Sequence, residues 1–228
     1  MKKKLSWITI IDLMIYIIIF GFIIYGIIKS KESYEEFLYV VREDGWVEYL
    51  TTFFLFVCSI FFAVNIIKSI QKKNTKQIVF NVIMFLMFIF GTGEEISWGQ
   101  RLLGVESSDY FREKNIQQEI NFHNLEVGGV DLNILIFSQL MFIALAFYFV
   151  FLGLLAWKSK FVRKLVMDFG VPIPRLHHTI VLLVSNAIIP TLIGMKKESE
   201  LHELALTGIL LLVFLNPAKQ VRGTAIRE

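Results

Sequence analysis

The segment IVFNVIMFLMFIFGTGEEISWGQR, residues 78–101, decides the fold of this chain. Its first part is almost wholly apolar and approaches the roughly 20 residues that a helix needs to cross a bilayer. Its last part changes abruptly to two adjacent carboxylates, a serine, a tryptophan, a glutamine and an arginine. This pattern predicts a membrane helix whose polar end belongs to a functional site.

The composition of the 228-residue chain also favours lipid over water as its solvent. Hydrophobic types make up 55% of the residues, and 22 residues are phenylalanine. A soluble protein of this length still exposes a large share of its surface, so it lacks a core that can bury so many apolar side chains. We therefore expect the whole chain, residues 1–228, to form one integral membrane domain.

Hydropathy divides the chain into four strongly apolar stretches and two weaker ones. The sequence therefore predicts an all-α, polytopic transmembrane helix bundle of about six spans, with an ordered outer loop over residues 98–131 between spans three and four. Four spans and a re-entrant hairpin are the alternative. The predicted spans are 6–28, 47–70, 78–97, 132–157, 178–195 and 200–216.

The basic residues predict the orientation of the bundle. Fifteen of the 23 Lys and Arg residues fall on the side of the N-terminus, so the positive-inside rule predicts a multi-pass protein of the cell membrane with both termini cytoplasmic. No basic cluster with interleaved aromatic residues is present, which argues against nucleic acid as a partner. The expected partners are the lipid bilayer, a small polar ligand or lipid headgroup, and a second copy in a homo-oligomer.

With this topology, the polar residues at the span ends gather at the outer leaflet. Ionisable groups at membrane depth are costly and usually face a bundle interior or a wet cavity, so this gathering predicts a site. The candidate acid/base residues are Glu94, Glu95 and His123. The candidate ligand-binding residues are Ser97, Gln100, Arg101, Glu119, Asn121, Asn124, His202 and Glu203, and further acids nearby are Glu43, Asp44, Glu48 and Glu200.

The polar end of the third span, GEEISWGQR, has a simple helical interpretation. If the helix continues, Glu94, Ser97 and Arg101 share one face. Arg101 would then neutralise one of the two adjacent carboxylates, and the other would remain available for proton exchange or cation binding. The alternative is that both acids are solvated at the span end, with Trp98 as an interfacial anchor.

The loop segment NIQQEINFHN, residues 115–124, allows two conformations. An extended backbone would place its polar residues on one face and its apolar residues on the other. A helix would instead place Glu119 and His123 at positions i and i+4, where they can share a metal ion. A divalent metal held by His123, Glu119 and Glu95 is therefore one hypothesis for a cofactor.

A second group of polar residues lies on the inner side. Asp12 stands about two turns into the first span, and we interpret it as a group paired across helices, with a proton or substrate relay as the alternative. His177 and His178 fall on the same inner side, away from the outer candidates.

In REDGWVEYLTTFFLF, GEEISWGQRLLG and NIQQEINFHNL, the chain resembles a family of uncharacterised bacterial polytopic membrane proteins. Members share an acidic-Gly start of a span, an EEISWGQR-type box and a QxExNxHN-type box in this order. The resemblance covers roughly residues 42–135 and implies membrane embedding without assigning a reaction. The chain is also loosely similar, at Ser97 and His123, to alkaline ceramidase and progestin-receptor-like hydrolases, but it lacks their late HxxxH pair.

Three classes of function remain open from the sequence. The first is a binding or transport protein whose outer acidic site takes a cation, a proton or a small polar ligand. The second is a membrane-embedded hydrolase or transferase that acts on lipid headgroups or lipid-linked sugars. The third is a non-catalytic sensor or complex subunit whose outer loop docks another protein.

Overall fold

The computed structural model describes residues 7–122, 124–127, 130–131 and 140–218. Helices account for most of them, and the β-pairing in these ranges consists of a two-residue antiparallel ladder and an isolated bridge between Asn115 and Leu125. The helices are α1 (Trp7–Glu32), α2 (Tyr34–Val40), α3 (Trp46–Gln71), α4 (Thr75–Glu95), α5 (Gln100–Leu103), α6 (Asp109–Lys114), α7 (Met141–Ala146), α8 (Gly153–Lys158), α9 (Lys160–Phe169), α10 (Leu176–Leu192) and α11 (Ser199–Leu215). The ladder pairs β1 (Glu126–Val127) with β2 (Val130–Asp131).

Four helices in the described part of the chain are long and apolar enough to span a membrane. They are α1, α3, α4 and the continuous helix Met141–Lys158, in which a π-helical stretch joins α7 to α8. Large apolar side chains such as Ile17 and Phe142 point outward on these helices. A helix satisfies all its backbone hydrogen bonds internally, as the hydrocarbon core of a bilayer requires. The prediction of an all-α membrane bundle is therefore confirmed.

The two weaker predicted spans form α10 and α11, each 17 residues long. The helix α11 lies at the centre of the bundle against α1, α3 and α10. It runs antiparallel to α1, because Leu201 at its start packs on Gly26 and Asn216 just beyond its end bonds to Asp12. This helix therefore follows α1 over most of its length.

Close packing of small and aromatic residues holds α11 in place. A Cβ atom at Gly208 would lie only 3.1 Å from the side chains of both Ile19 and Phe54, so glycine permits this close helix contact. Below it, the ring centroids of Phe62 and Phe214 lie 4.9 Å apart in an edge-to-face contact. The middle of the bundle is therefore a dense apolar core.

The alternating helix directions give the bundle two ends. The upper end is where α3 begins, α4 ends and α11 begins, and the lower end is where α1 begins and α11 ends. The ion pair between Lys76 and Asp168, at 2.7 Å, joins the start of α4 to α9 at the lower end. The upper end contains the box residues, and the lower end contains Asp12 with the two adjacent histidines.

Candidate functional site

The third span ends in a tight left-handed turn. Ser97, Trp98 and Gly99 have positive φ angles of 46°, 53° and 77°, so α4 stops at Glu95 and the chain reverses into α5. Non-glycine residues rarely adopt this conformation. The prediction that Glu94, Ser97 and Arg101 share one face of a continuing helix is therefore wrong.

Glu94 joins the two boxes from a buried position. Its carboxylate accepts a hydrogen bond from the Trp98 indole at 2.7 Å and another from the main-chain N–H of Phe122 at 2.6 Å. The first bond closes the left-handed turn, and the second attaches the loop to the end of α4. Glu94 therefore connects the loop to the turn after α4.

Arg101 binds three carboxylates from two other segments. Its Nη1 donates to both oxygens of Glu119, at 2.8 and 3.0 Å, its Nη2 binds Glu48, and its Nε binds Asp44 at 3.1 Å. Burial disfavours the charged guanidinium, but the hydrogen bonds that Arg101 donates to Glu119 and the surrounding carboxylates outweigh burial and raise the pKa of Arg101. The expectation that Arg101 neutralises Glu94 or Glu95 is wrong.

The start of α3 supplies the deepest of these carboxylates. Glu48 is buried in the first turn of α3, and its second oxygen accepts a hydrogen bond from the main-chain N–H of Asp44 at 2.8 Å. Negative charge at a helix N-terminus is favoured by the unpaired N–H groups there. The acidic-Gly start of the span therefore orients Glu48 toward Arg101.

The segment 115–122 is not helical, so its polar side chains turn inward together. Asn121 is 1% exposed whereas Ile116 is 66% exposed. The amide of Asn115 donates to the side-chain oxygen of Asn121 at 2.7 Å, and Asn121 donates to Ser97 at 3.1 Å. The alternation expected for an extended segment accounts for this arrangement better than the helical interpretation, although a turn at Gln118 interrupts it.

Gln100 and Ser107 complete the wall around the loop. Gln100 accepts a hydrogen bond from the main-chain N–H of Ile120 at 2.6 Å and donates to Ser107 at 2.7 Å. Ser107 in turn donates to the carbonyl of Gln118. No motif in the sequence identified Ser107, because a single loop serine carries no periodic signal.

These contacts enclose a small cavity lined mainly by carboxylates at the upper end, which we call the acidic cleft. Its cavity volume is about 60 Å³, several times the roughly 10–15 Å³ that one water needs. Arg101 is the only basic residue in its lining among the residues that the structure describes. The lining consists of Glu43, Glu48, Glu95, Ser97, Arg101, Gln117, Glu119, Asn121, Asn124, Ser199, Glu200 and Glu203.

Two of these carboxylates have no cationic partner in the described ranges. Neither the Glu95 nor the Glu203 carboxylate makes a hydrogen bond or ion pair there, and each experiences the negative charge of its neighbours. By contrast, Glu119 is held by Arg101 and by the hydroxyl of Ser97. The hypothetical metal ligands Glu95 and Glu119 therefore have different surroundings, and His123 lies outside the described residues.

The structure brings six of the eight predicted ligand-binding residues to the acidic cleft. Gln100 and His202 do not line it, and neither does the candidate acid Glu94. The imidazole of His202 contacts the Asn186 side chain on α10, with 2.7 Å between Nδ1 and Oδ1, and does not line the cleft. Gln117 and Ser199 also line it, although neither was among the candidate site residues. Gln117 is the first residue of the QxExNxHN-type box, whereas Ser199 belongs to no box.

The lower end holds a second cluster of polar side chains. Asn216 donates to one oxygen of Asp12 at 2.8 Å, which is the pairing across helices that the sequence suggested. His177 and His178 approach the same carboxylate from the start of α10. The extended segment before α10 is attached to the end of α11 by a main-chain hydrogen bond of 2.9 Å from Ala218 to Ile173.

Comparison with known proteins identifies no relative. No protein-family model matches the chain, and no curated protein or solved structure is significantly similar to it. The resemblance to a box-containing membrane family therefore stays a prediction.

Proposed function

We propose that the protein binds a small cation in the acidic cleft, at the surface that the basic residues predict to be external. The observation that carries this proposal is that Glu95 and Glu203 face the same cleft without a described cationic partner. Neighbouring carboxylates that are partly removed from water are stabilised when an opposite charge or a proton compensates them. A bound cation would supply that compensation.

The oxygen-rich lining favours a hard cation. Calcium and magnesium prefer carboxylate and amide oxygens, and calcium accepts irregular coordination better than magnesium does. The cleft offers the carboxylates of Glu95 and Glu203 as oxygen donors, whereas the amide oxygen of Asn121 already accepts a hydrogen bond from Asn115. Its size suits an ion with some of its water and leaves little room for a larger ligand.

The middle of the bundle favours binding over transport. Between Glu203 and Asn216, about 20 Å apart along α11, the buried residues are mostly apolar, including Leu204, Ile209 and Leu212. A transported ion would need polar groups along that path. We therefore favour a cation-responsive membrane protein over a transporter.

The test uses the full chain in detergent, with Ca²⁺ as the first probe and Mg²⁺ and Na⁺ as alternatives. A ligand at about 100 times its Kd stabilises the folded state by about 2.7 kcal/mol. We expect this stabilisation to disappear in Glu95→Gln and Glu203→Gln. The control is Glu113→Gln, which changes an exposed acid on α6 and should keep the stabilisation by the ion.

A cleft that binds no ion would respond differently to the two glutamine substitutions. Loss of the negative charge stabilises an ion-free cleft, because repulsion between the carboxylates is removed. If none of the three ions stabilises the parent protein and both glutamine variants are simply more stable, the proposal is wrong.

A further inference from the structure

The lower cluster has the geometry of a metal site. One ligand atom each from Asp12, His177 and His178 lies within 4.8 Å of the others, and this is the sole group of that kind in the described part of the chain. Asp12 is 7% exposed and His178 is fully buried. Asp12 lies in the second turn of α1, and His177 and His178 lie in the first turn of α10, so two packed helices position the three side chains.

The cluster also contains buried polar atoms without partners. Within the described residues, Oδ1 of Asp12 and Nε2 of both His177 and His178 make no hydrogen bond. The 3.8 Å between Nε2 of His177 and Oδ2 of Asp12 is too long for one. Buried polar atoms are nearly always satisfied, so unsatisfied atoms on all three of these neighbouring side chains indicate a missing ligand.

We propose that Asp12, His177 and His178 bind a divalent transition metal of the zinc class. Two imidazoles and one carboxylate are a common zinc ligand set and leave a fourth position open. Ligand atoms about 2.1 Å from a tetrahedral zinc ion lie about 3.4 Å apart, so the side chains must move together by about 1 Å. These nitrogen donors distinguish this site from the oxygen-lined acidic cleft.

A neighbouring amide orients Asp12, whereas His178 must change its tautomer to bind a metal. Asn216 holds Oδ2 of Asp12 at 2.8 Å and leaves Oδ1 for the metal. The main-chain N–H of Arg175 lies 3.3 Å from Nδ1 of His178. Metal binding at Nε2 requires the proton of this ring to be on Nδ1, so binding replaces that long hydrogen bond with a metal–nitrogen bond.

The hydroxyl of Tyr16 stands one turn after Asp12 and is also buried without a partner in the described ranges. Its ring packs edge-on against His177, with 6.3 Å between the ring centroids. It lies close enough to Asp12 to experience the charge of that carboxylate. A water in the open metal position would provide Tyr16 with a hydrogen-bond partner.

The test measures the metal content of the full chain, purified in detergent without a histidine tag. After chelation and addition of Zn²⁺ or Co²⁺, the parent protein should retain about one ion per chain, and Co²⁺ should give the visible absorption of a tetrahedral nitrogen and oxygen site. Asp12→Asn and His177→Gln should each weaken binding about tenfold or more. His177 is partly exposed, so its variant is expected to fold even if the buried His178→Gln does not.

Two controls separate this site from the rest of the molecule. His202→Gln removes a histidine at the other end of α11 and should leave Zn²⁺ binding unchanged. Glu95→Gln should also leave it unchanged, even if that variant abolishes the Ca²⁺ response. If the parent protein retains no Zn²⁺ or Co²⁺, or if Asp12→Asn and His177→Gln bind as it does, the cluster is a hydrated hydrogen-bond network and the proposal is wrong.

Discussion

Replacing Arg101 by glutamine is expected to destabilise the upper end of the bundle strongly. The guanidinium is the common partner of Asp44, Glu48 and Glu119. The carboxylates of Glu48 and Glu119 are only 8% and 12% exposed. Water therefore cannot replace the lost positive charge at these two groups without opening the structure.

The expected size of the effect follows from these exposures. Removing one partner of a buried ion pair costs about 3–5 kcal/mol, because a buried charge is left uncompensated. The Asp44 carboxylate is largely exposed, so its ion pair contributes no more than about 1 kcal/mol. We expect Arg101→Gln to lower the free energy of unfolding by about 3–5 kcal/mol.

The assay is unfolding of the detergent-solubilised protein with increasing SDS, followed by tryptophan fluorescence. Trp98 is a suitable reporter, because its indole bonds to Glu94 beside the arginine network. The matched control is Arg112→Gln in the same loop, where the exposed pair with Glu106 predicts a loss below about 1 kcal/mol. Adding Glu48→Gln to Arg101→Gln should recover part of the lost stability.

Two results would refute this reasoning. If Arg101→Gln costs no more than Arg112→Gln, the arginine does not compensate buried carboxylates. If Glu48→Gln makes the arginine variant less stable still, the loss comes from missing packing and not from an uncompensated charge. In both cases the wall of the acidic cleft would need another explanation.

Two further predictions concern packing and pH. Gly208→Leu should lower stability in the same SDS assay by about 1–3 kcal/mol, because a Cβ atom there would already lie 3.1 Å from Ile19. The control Gly21→Leu should cost little, because a Cβ atom at Gly21 has nothing within 4 Å. Equal losses in the two variants would contradict this prediction. The hydrogen bond that Lys76 donates lowers the pKa of Asp168. The ion pair therefore stabilises the folded protein fully above the unfolded-state pKa of Asp168, and this stabilisation is lost as the pH falls through its folded-state pKa. Thermal melts should therefore separate the parent protein from Asp168→Asn at pH 7 but not in strong acid, and a constant difference would count against this ion pair.

Local sequence patterns predicted the membrane helices well, because a long apolar run leaves few alternatives in lipid. The helix Trp46–Gln71 differs from the predicted span 47–70 by one residue at each end. The two weak spans also became helices, although each is shorter than the four long ones. Of the two, α11 is covered by other helices, whereas α10 exposes large apolar side chains such as Leu183.

The turn after α4 was the main error in the local prediction. Three consecutive residues with positive φ have no sequence signature here apart from Gly99, and Ser97 and Trp98 ordinarily favour other conformations. The hydrogen bonds of Glu94 and Asn121 to this turn stabilise it. Glu94 lies in the last turn of α4, and Asn121 lies in a segment distant in sequence. Helical periodicity therefore could not predict that both side chains meet at this turn.

The sequence by itself determined that this chain is a helical membrane protein with acids concentrated where its spans end, because hydropathy and charge act residue by residue. Only the tertiary structure decided that Arg101 bonds to Glu48 and Glu119, and that His177 and His178 meet Asp12. Such partners depend on which helices pack together and at what height. The site therefore forms through side-chain contacts between segments that are distant in sequence, and no local sequence pattern predicts these contacts.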